Sequence, residues 1–409
     1  VTHTTPYTLA KVHGAFARWL GEDYDLDAID AVLAAAAAER LTGEPFWLFV
    51  VGGSGGAKTE TVQALAGAGA LVTSTIASEA ALLSGTAKKE KAKDATGGLL
   101  RRIGSSGLLV IKDVTSILAM HRDTRSGVLA ALREIHDGRW ERNVGTDGGR
   151  TLTWCGRIGI VGAVTTAWDR AHDVIAAMGD RFVLLRLDTT QGRQASGRQA
   201  IRNTGHETAM REHLAEAVGG ILTTVDPGRA IDVTDAERDQ LLAAADIVTL
   251  CRTGVDYDYR GDVIDAHAPE APTRFAKQLV QVVRGASAVG LERPRALRLA
   301  LRCARDSMPP LRLAILEDVA AHPGATTPEV RRRLNKPRNT VDRQLQALHM
   351  LGALACDEIA DPDRNRSSWH YYVSDGVEPA TLRVPDLSPH IHVNTGYVVG
   401  DISGTGVIQ

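Results

Sequence analysis

The stretch "FVVGGSGGAKTETVQAL", residues 49–65, constrains the fold more than any other part of the chain. An apolar run, four glycines in five positions, and a helical pattern opening at Lys58-Thr59 spell out strand, tight turn and helix in succession. Glycines 52, 53, 55 and 56 let successive backbone N–H groups converge on one anion. Lys58 adds a point charge for the β- and γ-phosphates, the Thr59 hydroxyl is a Mg²⁺ ligand, and the helix start favours negative charge. Gly52, Gly53, Ser54, Gly55, Gly56, Ala57, Lys58, Thr59 and Glu60 are therefore the candidate cofactor cradle, for ATP and Mg²⁺. The usual motif has glycine directly before the lysine, and here that residue is Ala57. Alanine fits if the residue takes ordinary helical dihedrals, because only a positive φ needs glycine.

Further short apolar runs follow at residues 70–74, 107–113, 157–164 and 181–187, separated by helical or mixed segments. Alternation of this kind predicts an α/β fold with a mostly parallel sheet. We divide the chain into a helical segment (1–44), an α/β P-loop core (45–193), a helical lid (194–307), a three-helix-plus-hairpin unit (308–375) and a tail (376–409). The lid pattern predicts helices near 195–221, 234–252, 271–289 and 294–306. The following unit reads as helices 310–321, 327–334 and 338–352, then two β-prone runs.

A formal net charge of -2 over 409 residues makes the chain no polycation, so any nucleic-acid site must be a local patch. The four cysteines, 155, 251, 303 and 356, are far apart, which argues against a zinc site or a disulfide framework. No basic segment followed by an apolar run opens the sequence, and no stretch approaches 18 apolar residues. These features predict a cytoplasmic protein with no membrane partner.

"GGSGGAKTE" resembles the GDPxxAKS-type loop of the minichromosome-maintenance (MCM) helicases, a branch of the AAA+ ATPases in which alanine precedes the lysine. Gly52, Gly55, Ala57, Lys58 and Thr59 match, while Gly53-Ser54 replace Asp-Pro. The resemblance implies an AAA+ core with a helical lid and a C-terminal winged helix, working as a ring oligomer, a hexamer, on DNA. In "SGLLVIKDVTSIL" a buried strand delivers one acid, Asp113, for metal and water. One register gives Asp113 the role of catalytic Glu; a shift by one makes it the metal-side acid. Thr165 stands where the family has a sensor asparagine. Arg181, in "MGDRFVLLRL", matches the arginine finger, which acts on ATP held by a neighbouring subunit. Lys277 takes the position of the family's second-sensor arginine, with Arg274 about one turn earlier.

The DNA-facing candidates fall in three places. "RWERNVGTDGGRTLTWC" reads as a hairpin around an Asp-Gly turn. It resembles the family's pre-sensor hairpin, making Arg139, Arg142 and Arg150 channel contacts. Lys88, Lys89, Lys91 and Lys93 crowd six residues, either a solvated loop or a second channel contact. In "TPEVRRRLNKPRNTVDRQLQALHML", Val341, Leu345, Leu348 and Leu351 mark a buried face. Arg338, Asn339 and Arg343 are left for DNA, with Arg364 and Arg366 on the wing. Such a patch mainly neutralises phosphates. The combined expectation is an ATP-driven DNA helicase of mobile-element or phage type, alone or with other replication proteins. The alternatives are an initiator or helicase loader, and an ATP-responsive winged-helix transcription regulator.

Overall fold

A computed structural model describes residues 7–86, 95–171, 181–188, 192–361 and 366–385. Its centre is a five-stranded parallel sheet built from β1 (Trp47–Val51), β2 (Leu71–Thr73), β3 (Ser106–Ile111), β6 (Arg157–Val164) and β7 (Val183–Arg186), in the order β2-β3-β6-β1-β7. Between β3 and β6 the chain inserts an antiparallel hairpin, β4 (Arg139–Val144) and β5 (Arg150–Cys155). All five residues of β1 are buried, as a strand covered on both faces must be. Trp47, Phe49 and Val51 enter one core with Trp168 and Phe182, and Leu48 and Val50 enter the other. The chain is thus α/β with a parallel sheet, consistent with a P-loop or Rossmann-like core.

The alanine-rich helix Leu26–Arg40 lies in the second core, buried from Ala28 through Ala38. Its last carbonyls have no partner within the helix. Arg157, at the start of β6, supplies donors to Ala38 O, Glu39 O and Gly43 O at 2.9, 2.6 and 2.6 Å. Helix Glu207–Leu222 packs against the turn Ala64–Ala68 behind the glycine loop. The approach is so close that a Cβ on Gly67 would lie 1.8 Å from Ala215 O.

The predicted helix 195–221 is two helices, Arg193–Arg202 and Glu207–Leu222. Gly205, at φ +86°, lies in the turn between them. The stretch after Arg252, expected to be helical or linking, forms an antiparallel hairpin, β8 (Val255–Tyr257) and β9 (Val263–Ala266). Helices Pro310–Ala321, Thr327–Leu334 and Arg338–Met350 then pack with a sheet of β10 (Ala325–Thr326), β12 (Arg366–Val373) and β11 (Leu354–Asp361). A capping box between Thr326 and Glu329 starts the middle helix, and Asn335 at φ 51° ends it. Among the described residues no helix is long and apolar enough to cross a membrane.

Candidate nucleotide site

β1 delivers the glycine loop to the C-terminal edge of the sheet, where open α/β sheets bind ligands. The Gly52 N–H donates to Val164 O at 3.2 Å and fixes the loop against the end of β6. Gly53, Ser54 and Gly55 are exposed, as is Thr59, and all four line one cavity. Lys58 is 8% exposed and donates to Gly53 O. Burial pushes its ammonium below the usual range, and the nearby Asp113 carboxylate opposes that shift.

Ala57 departs from the sequence expectation. It adopts φ 58°, ψ 10°, the left-handed conformation, and not the helical one. An L-residue there costs about 1–2 kcal/mol. Its carbonyl is held twice, by Thr61 N–H at 3.0 Å and by the Thr61 hydroxyl at 2.9 Å. Because that hydroxyl donates to Ala57, Tyr24 OH donates to Thr61 Oγ1, at 2.7 Å. Burial pushes the Tyr24 phenol well above its ordinary range. The N-terminal segment therefore braces the strained residue of the loop.

Beside the loop lies a cavity of 910 Å³, lined by residues 53–60 and by Trp19, Tyr24, Asp188, Arg193 and Asn203 among others. Such a volume is at the upper end of small-molecule sites. Sequence reading did not find these wall residues, which come from segments over a hundred residues apart. Asn203 Nδ2 donates to Trp19 O at 2.6 Å and ties two of those walls together. Glu60 pairs with Arg211 at 3.1 Å.

Asp113 follows β3, exposed, with its N–H on Ser74 O at 2.9 Å. Thr165 follows β6. Its N–H donates to Thr115 Oγ1 at 3.0 Å, and its Oγ1 accepts from Thr115 Oγ1 at 3.2 Å and from Ala167 N at 3.3 Å. Among the described residues no cluster of three or more His, Cys, Asp or Glu side chains could hold a metal alone. Mg²⁺ is usually held by one or two protein oxygens together with phosphates. Thr59 and Asp113 would hold it.

Arg181, Arg274 and Lys277 are brought together, but not at the loop. Arg181 donates to Asp137 Oδ2 at 3.1 Å, and Gln278 Nε2 donates to Arg181 O at 2.7 Å. Lys277 pairs with Glu44 at 2.5 Å, and Arg274 faces Glu270 at 3.5 Å. Burial, then the charge of Arg181, pushes the Arg274 guanidinium down. A 510 Å³ polar cavity lined by Glu44, His136, Asp137, Arg157, Arg274 and Lys277 opens here. Pro45 and Gly156 on its wall place it at the N-terminal ends of β1 and β6. The length of β1, about 16 Å at 3.3 Å per residue, separates it from the loop.

The DNA candidates divide. Arg142 and Arg150 donate at 2.9 Å to Leu83 O and Thr86 O, seating the β4–β5 hairpin on residues 83–86. Arg139 is exposed and pairs with Glu141. Arg338 and Asn339 are exposed, and Arg343 donates to Arg260 O. Lys88, Lys89, Lys91, Lys93, Arg364 and the side chain of Arg366 lie outside the described residues.

No protein-family model and no curated protein matches the chain. Among solved structures, the apo A form of the NrS-1 C-terminal region aligns over 89% of this chain and 76% of its own, at 9% identity and a TM-score of 0.29. A likeness at that level carries no conclusion about fold or function.

Proposed function

We propose that the chain is an ATP-dependent DNA motor of the AAA+ type, MCM-like and active as a ring of subunits. The observation that carries this reading is the exposed glycine loop at the C-terminal edge of a parallel sheet, with buried Lys58 lining a 910 Å³ cavity and the exposed Asp113 carboxylate near enough to oppose the shift of its ammonium. Backbone N–H groups of residues 53–59 and the Lys58 ammonium bind and orient the phosphates. Mg²⁺, when bound, offsets their negative charge. Asp113 would serve the metal or the attacking water, and the Thr165 hydroxyl, with both lone pairs engaged, has its proton left to donate.

Arg181 and Arg274 are too far from the loop of their own chain to act there. Their clustering with Lys277 supports a role on the nucleotide of a neighbouring subunit, so activity requires assembly. Helices Thr327–Leu334 and Arg338–Met350 with the β11–β12 hairpin are read as a winged helix. Exposed Arg331, Arg332, Lys336 and Arg338 give it a phosphate-directed surface.

One observation favours the second reading, an initiator or loader. Lys112-Asp113-Val114 offers a single carboxylate where sustained hydrolysis uses two. Strand displacement on a forked DNA, measured with ATP hydrolysis, separates the two. A motor unwinds with turnover stimulated by single-stranded DNA. A loader binds ATP and assembles on DNA without sustained unwinding.

A further inference from the structure

The β8–β9 hairpin carries "VDYDYRGDVIDA", with Asp256, Asp258, Asp262 and Asp265 against Arg260 as its one basic residue. One face of it, formed by Val255, Tyr257, Val263 and Ala266, packs on Ala347 and Leu351, in and just beyond the helix Arg338–Met350. At its tip Arg343 Nη2 donates to the Arg260 carbonyl at 2.6 Å. Gly261, at φ +82°, permits this approach: a Cβ there would lie 2.4 Å from Arg343 Nη2. Arg343, Ala347 and Leu351 are spaced by four and form one stripe of the helix. Val341, Leu345 and Leu348 form the core-facing stripe.

Arg312 reinforces the seat. It is 1% exposed, donates at 2.7 Å to Cys251 O and Thr253 O at the root of the hairpin, and reaches Gln344 Oε1 on the helix at 2.9 Å. The hairpin thus takes one arginine of the basic helix and covers one flank, while Arg338 and Asn339 stay exposed. Exposed Asp256, Asp262 and Asp265 make the covering element anionic.

We propose that this hairpin competes with DNA for the helix Arg338–Met350. Seated, it holds Arg343 away from phosphates and sets negative charge beside the DNA path. Duplex DNA engages the whole outward face only when the hairpin lifts. The inference rests on the winged-helix reading of this unit.

The test uses the full chain and a fluorescein-labelled 20-base-pair DNA duplex, titrated by anisotropy at several salt concentrations. Gly261→Ala puts a Cβ on the Arg343 guanidinium and displaces it from the Arg260 carbonyl. Asp262→Asn with Asp265→Asn removes repulsion at exposed positions without touching the packing. Freeing Arg343 adds one phosphate contact, so Gly261→Ala steepens the slope of log K against log salt by about 0.9 and tightens binding up to about eightfold at 0.1 M salt. Adding Arg343→Ala to Gly261→Ala removes that gain. The Asp pair also binds tighter than wild type. Wild-type affinity and slope in a folded Gly261→Ala chain, together with no gain in the Asp pair, overturns the proposal and leaves the DNA reading standing. If Gly261→Ala does not fold, the Asp pair alone decides. Absence of duplex binding by every form, wild type included, overturns the DNA reading and this proposal together.

Discussion

At the scale of single residues, Ala57 concentrates the chemistry of the loop. Its left-handed φ of 58° is where the usual glycine carries no penalty. We expect Ala57→Gly to stabilise the chain by up to about 1 kcal/mol, the relieved strain exceeding the added freedom of the unfolded glycine. Chemical denaturation measures this, and an unchanged or lower midpoint contradicts it. Tyr24→Phe removes the hydroxyl that braces Thr61. It costs about 1 kcal/mol and weakens nucleotide binding, read by titrating a fluorescent ATP analogue. Wild-type affinity in Tyr24→Phe would remove the brace from the account. The motif, its lysine and Thr59 were legible in the sequence because they are local. The conformation of Ala57 was not, since Thr61 and Tyr24 fix it through contacts that no spacing announces.

At the scale of elements, close approach decides what can be changed. Gly67 and Gly219 let helix Glu207–Leu222 lie against the turn after the loop; a Cβ on Gly219 would sit 2.3 Å from Gly67 O. Gly67→Ala should therefore cost at least 1–3 kcal/mol of stability, the usual range for overpacking. A change under about 0.5 kcal/mol by denaturation would contradict this packing. Strands β1, β3, β6 and β7 were legible as apolar runs because both faces of the sheet are covered. Hairpin β8–β9 was not, because its alternation of Asp with Val, Tyr and Ile suits a half-buried pair only once Ala347 and Leu351 cover one face. The single long helix expected at 195–221 broke at Gly205, where a positive φ outweighs the flanking helical pattern.

At the scale of the whole molecule, buried His136 and half-buried Asp306 give stability opposing pH dependences. Burial, then the charge of Arg181, pushes His136 down to about 4. Its contribution is complete above pH 6.5 and is lost as pH falls towards 4, where the unfolded chain binds a proton that the folded chain does not. Burial pushes Asp306 up to about 6 against the pull of Arg302. Between pH 6 and 4 the folded chain binds that proton first, so falling pH adds stability. Relative to wild type, His136→Phe should gain in Tm as pH drops from 6.5 to 4, and Asp306→Asn should lose. Parallel Tm curves for all three would contradict both assignments.

The proposed assembly is tested at the same scale. With the loop and the Arg181 cluster at opposite edges of the sheet, Lys58→Ala and Arg181→Ala subunits should each be inactive alone. Mixed, they should recover ATPase activity, because some interfaces then combine an intact loop with an intact arginine. No recovery in co-assembled mixtures would contradict a shared site.

The measurement that bears most directly on the account is ATP binding and steady-state hydrolysis by wild type, Lys58→Ala and Asp113→Asn. The wild-type chain should bind ATP, Lys58→Ala should abolish that binding, and Asp113→Asn should lower turnover at least tenfold while binding persists. A wild-type chain that binds no ATP in the presence of Mg²⁺, or variants that match it in both readouts, would contradict the nucleotide site.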